Sequence, residues 1–151
     1  MRIIITTLIF FTLSFSLSAQ TATLVTTERV EWQKLAETIV TFDKNITGFD
    51  QQMAEIPVLT KERFLSIQFR VPEAQMDLKS LEVYFENGNK QDFAINESLK
   101  GDKYSRIIDL TGEERIITKI AFKYKAIPNT DDPKARLELW GSQLIKRPGE
   151  K

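Results

Sequence analysis

Apolar residues recur at every second position through most of the chain beyond residue 60. In Phe64 to Val71, the residues Leu65, Ile67, Phe69 and Val71 share one phase, while Ser66, Gln68 and Arg70 share the other. Leu81, Val83 and Phe85 oppose Glu82, Tyr84 and Glu86; Asn87-Gly88 follows, and Phe93 and Ile95 resume beyond it. Asn-Gly tolerates the positive φ angles of a tight hairpin, so a turn is predicted there. Tyr104 to Leu110 also alternates. So does Ile116 to Lys125, where Ile120, Phe122 and Tyr124 oppose Lys119, Ala121 and Lys123. Ala135, Leu137 and Leu139 then alternate with Arg136, Glu138 and Trp140. One apolar and one polar face is the mark of antiparallel sheet. The pattern predicts an all-β fold, an antiparallel β-sandwich of jelly-roll or immunoglobulin-like type with about 7–9 strands.

Val30 to Phe42 is ambiguous on its own. Trp32, Leu35, Ala36, Ile39 and Val40 fall at helical spacing, whereas Thr38 to Phe42 favours a strand by propensity.

The chain opens with Arg2, a nearly unbroken apolar run from Ile3 to Leu17, and then the small residues Ser18 and Ala19. That order is the pattern of a cleaved signal peptide, and at about 15 residues the run is short for a membrane span, which takes ~20. Cleavage after Ala19 puts Leu17 at the third position before the cut; cleavage after Ser18 puts Ser16 there. The predicted organisation is a signal peptide over 1–19, a flexible lead-in over 20–30, a β-domain over 31–145 and a disordered tail over 146–151. The product is exported, periplasmic or secreted, with no membrane span after cleavage.

Composition removes chemistry. There is no Cys and no His. That excludes thiol and imidazole nucleophiles and bases, disulfide staples, and nearly every zinc or copper site. Acids and bases balance at 21 each, so no basic face invites nucleic acid. No cofactor is expected.

The segments Ser105-Arg106-Ile107-Ile108-Asp109-Leu110, Gly112 with Arg115-Ile116-Ile117, and Leu137-Glu138-Leu139-Trp140-Gly141 resemble a family of small exported bacterial β-sandwich proteins. That family is a domain of unknown function, with the pattern S-R-x-I-D-L, G-x-x-R-x-I, L-x-L-x-G. The likeness runs over roughly residues 31 to 145 and includes Trp32 with Leu35 and the hairpin at Phe85 to Gly88. It implies a strand over Trp32 to Phe42, with Ala36 standing where the pattern has Gly. It implies no activity.

Candidate ligand-binding residues are Arg106, Arg115, Tyr84 and Trp140. Arg106 shares the phase of Ile108 and Leu110 and is expected to point inward, paired within a Ser105/Asp109/Arg115 cluster or offered to an anion or sugar hydroxyl. Tyr84 and Trp140, with Trp32 and Phe64, fall on outward phases where rings stack on sugars or cover an edge. Asp43, Asn45 and Asp50 overlap half of a calcium loop, but Ala54 stands where its closing Glu belongs; a polar turn is the ordinary reading. Asn129 to Pro133 reads likewise as a turn. Lys119, Lys123 and Lys125 form a row suited to a solvated face, a sheet edge or an anionic surface. The expected function is non-enzymatic binding of a protein or glycan partner in the envelope or outside the cell. The alternatives are a carbohydrate-binding module using the exposed aromatics, and an enzyme working through paired carboxylates.

Overall fold

The computed structural model describes residues 27–41, 51–126 and 134–147. The stretches read as signal peptide, as most of the lead-in, and as polar turns at Asp43/Asn45/Asp50 and at Asn129 to Pro133 lie outside them, as do the last four residues. Eight strands occur among the described residues: β1 (Thr27–Thr41), β2 (Gln52–Pro57), β3 (Arg63–Phe64), β4 (Ser66–Phe85), β5 (Lys90–Tyr104), β6 (Ile108–Asp109), β7 (Arg115–Ala126) and β8 (Lys134–Arg147). Every pairing is antiparallel. The main path runs β1-β8-β4-β7-β2; β5 and β6 pair with β4, and β3 pairs with β7.

The all-β antiparallel expectation holds, but the sheet curls into a half-barrel where two stacked layers were expected. The reason lies in β4. Its first residues pair with β8, Ser66 through Arg70 against Ser142 through Glu138, and its second half pairs with β7, Met76 through Phe85 against Ala126 through Ile117. One strand therefore belongs to both halves, and β1 and β2 at the ends of the path come close in space. Three irregularities in its pairing with β5, between Arg70 and Val71, between Val71 and Gln75 and between Leu78 and Ser80, let it bend. They also shift phase. Ile67, Phe69 and Val71 point inward, then Met76 and Leu78, then Leu81, Val83 and Phe85, and all eight are buried. The irregularity on β5 opposite Ser80 places Asn96 at φ 49°, a left-handed position Asn tolerates.

Val30 to Thr41 is strand, paired along its length with β8. The register slips between Lys34 and Ala36. β1 starts at Thr27, inside the stretch read as lead-in. β8 reaches Arg147, inside the stretch read as tail, because these two ends pair with each other.

Three local expectations are corrected. Gly88 alone takes positive φ (84°), and its N–H donates to the Phe85 carbonyl at 3.1 Å, so the hairpin turns through four residues rather than a two-residue Asn-Gly turn. Phe64, expected outward, is fully buried, because β3 pairs with β7 and does not continue the phase of β4. Tyr104 to Leu110 is not one strand. Tyr104 ends β5, and only Ile108–Asp109 pairs again. In the gap, the Ser105 N–H donates to the Phe69 carbonyl at 2.8 Å, and the Ser105 hydroxyl accepts the Phe69 N–H at 2.9 Å.

Candidate functional site

The four candidate residues stand in four places. Arg106 is exposed and points outward, because residues 105–107 have left the ladder and alternation no longer governs them. Its backbone N–H meets the Glu97 carboxylate at 3.1 Å and its Nη2 donates to the Ala94 carbonyl at 2.8 Å. No Arg106–Asp109 pair forms; the Asp109 carboxylate accepts the Ser66 hydroxyl at 2.7 Å instead.

Tyr84 lies on the outer face of β4. Lys119 and Lys90 stand over its ring at 4.6 and 6.0 Å. Lys119 also pairs with Glu55 at 3.1 Å, and β7 lies between β4 and β2, so the lysine row does not guard a sheet edge. The Tyr84 hydroxyl donates to Glu82 at 2.7 Å, which holds the Glu82 carboxyl below the usual carboxylate range, with Lys90 assisting, and pushes the Tyr84 phenol up. A depressed carboxylate contributes stability above its unfolded range, and that contribution is lost as pH falls through the lowered folded value. Tyr84→Phe is therefore expected to shrink the difference in thermal midpoint between neutral pH and about pH 3. An unchanged difference would remove the assigned role.

Trp140 lies near the other end of β4, beside Gln68 in register. Its ring meets Tyr104 edge-on at 5.7 Å, and its Nε1 donates to the buried Glu138 at 3.1 Å. Arg70 stands 5.6 Å over Tyr104, 3.7 Å from Glu138 and 2.5 Å from Asp102; the last contact chiefly raises the Arg70 pKa. Lys34 adds a second cation 3.8 Å from Glu138. Tyr84 and Trp140 thus belong to separate clusters, and cations already cover the faces of Tyr84 and Tyr104.

Arg115 lines a cleft among the described residues. Its strand begins between two neighbours: β3 pairs Phe64 with Arg115 and Arg63 with Ile116, and on the other side the Glu86 N–H donates to the Ile116 carbonyl at 3.0 Å. The start of β7, the β4–β5 hairpin and β3 together enclose a cleft of about 260 Å³, with Arg63 and Arg115 on its wall and Phe85 and Ile116 on its apolar side. The Arg115 guanidinium stacks over Phe85 at 4.9 Å. Behind it stands Gly112 at φ 100°, where an added Cβ would sit 2.9 Å from Nη2. The G-x-x-R spacing thus has a physical reason: Gly112 clears the room that the guanidinium occupies.

Both acids on the wall are engaged elsewhere. Glu86 faces Lys61 at 3.5 Å, and the Glu114 carboxylate accepts the Leu144 N–H at 3.1 Å. Arg63 donates only to the Glu114 carbonyl, at 3.4 Å, and Arg115 has no hydrogen bond or ion pair among the described residues. Sequence periodicity missed Arg63, Glu86 and Glu114, because a cleft assembled from three distant segments leaves no local pattern. Only the Gly112–Arg115 spacing pointed at it.

A family model described as a domain of unknown function (DUF2541) matches residues 4–141. No curated protein and no solved structure matches the chain.

Proposed function

Since the chain belongs to the DUF2541 family, which prescribes no activity, we propose that it works outside the cytoplasm as a non-catalytic binding domain. The rim at Arg63 and Arg115 is its recognition surface. The carrying observation is that cleft: two guanidiniums held at a concave opening without acidic partners of their own. Arg63 is exposed and Arg115 half-buried, so both present donors to solvent that a ligand can take over from water. The apolar leader supports export, and the family match begins within it, at residue 4. The half-barrel is read as a sandwich whose two layers share β4. Sugar stacking on exposed aromatics is the weaker reading, because Tyr84 and Tyr104 would first have to shed Lys119 and Arg70.

The test has two arms. N-terminal sequencing of protein expressed from the full chain should find a start at Ala19 or Gln20, in the periplasm or medium. Immobilised mature protein should retain an envelope component that the Arg63→Ala/Arg115→Ala double variant releases. An intact leader on cytosolic protein, or a turnover by purified protein that one substitution abolishes, would overturn the proposal.

A further inference from the structure

We infer that the cleft takes a small carboxylate carrying neighbouring hydroxyl groups, the chemistry of a uronic acid or another hydroxy acid. This rests on the reading of the cleft as the recognition surface and adds the class of ligand.

A guanidinium presents its donors as a planar fork that matches a carboxylate two bonds at a time. Arg115 is already set for this. Its guanidinium stands over Phe85 at 4.9 Å, and the missing Cβ of Gly112 leaves room beside it. Arg63 pairs with Ile116 on the neighbouring strand and also lines the cleft. The same wall carries Glu86 and Glu114, so its formal charge is balanced. A highly charged anion would meet two carboxylates along with the two guanidiniums. A singly charged acid with hydroxyls fits both signs: its carboxylate takes the Arg115 fork, and its hydroxyls donate to the Glu86 and Glu114 oxygens that Lys61 and the Leu144 N–H leave over. The volume of about 260 Å³ lies below the ~300–1,000 Å³ of sites for drug-sized ligands, which suits one sugar-sized unit. Ile116, half-buried in the lining, supplies apolar surface against which the carbon skeleton would rest.

The experiment titrates the mature domain with sodium glucuronate, glucose and inorganic phosphate, following backbone amide shifts by NMR. Glucuronate should give saturable shifts at Glu86 to Gly88 and at Arg115, and bind at least roughly tenfold tighter than glucose or phosphate, about the worth of one charge-assisted hydrogen bond. Arg115→Lys keeps the charge and loses the fork, and should weaken glucuronate roughly tenfold with the thermal midpoint unchanged. Methyl glucuronoside binding like glucuronate would identify a unit within a glycan; loss of binding when the anomeric hydroxyl is methylated would identify the unlinked sugar acid. Equal affinity for glucose, tighter phosphate, or an unaffected Arg115→Lys would each overturn the inference. Envelope retention that depends on Arg63 and Arg115, with no small acid bound, would overturn it and leave the binding reading standing.

Discussion

Phe64→Ala should destabilise the domain by about 3–5 kcal/mol, the cost of emptying a fully enclosed aromatic site. The ring is completely buried although it sits on a two-residue strand. Its position is set by Gly141, which pairs with Gln33 on one side and Ile67 on the other. An added Cβ at Gly141 would lie 2.8 Å from Phe64 Cδ1 and 2.7 Å from Leu35 Cδ1. Gly141→Ala alone should therefore cost about 1–3 kcal/mol through overpacking. Combined with Phe64→Ala it should cost distinctly less than the two added together, since half of the clash has gone while Leu35 still resists. Urea unfolding of the four proteins measures this. Strict additivity would show that Phe64 and Gly141 do not share the space assigned to them.

Ser105→Ala should cost about 1–3 kcal/mol, far more than an ordinary hydroxyl deletion at a surface. The side chain takes over a task that belongs to a backbone carbonyl. Where the chain leaves the ladder between β5 and β6, the Ser105 hydroxyl accepts the Phe69 N–H at 2.9 Å and donates to the Arg106 carbonyl at 2.8 Å. Ser105 is 3% exposed, so water cannot readily replace it. Hydrogen exchange at Phe69 should quicken in the variant before its neighbours do. If Phe69 stays as protected as in the parent, another acceptor serves it and the account of Ser105 is wrong. On this account the Ser in the S-R-x-I-D-L pattern is structural, as is Asp109, which holds Ser66.

The inward residues of β7 and β8 were legible where the alternation runs unbroken: Ile120, Phe122 and Tyr124, and Ala135, Leu137 and Leu139, are all buried, whereas Ile117 is buried in the opposite phase, ahead of a register shift. β4 read as two strands because its phase reverses twice between Val71 and Leu81, and an alternation rule stops at the first reversal. Val30 to Thr41 could not be decided from its own residues, since its ladder partner lies at the far end of the chain. Arg106 misled for a related reason: a phase carries across a segment only while that segment remains a strand. The site was less legible than the fold. Of its residues only Arg115 stood out, while Arg63 joins it through a two-residue ladder that no local pattern announces.

The ladder that sets Thr27 opposite Arg147 brings the first and last strands together at one end. A pull applied through those two residues would part β1 from β8 like a zipper, one rung after another. It would not load many hydrogen bonds at once in shear. Tension of that kind would strip β1 first, while β4, ladder-bonded on both edges, would still hold its neighbours together.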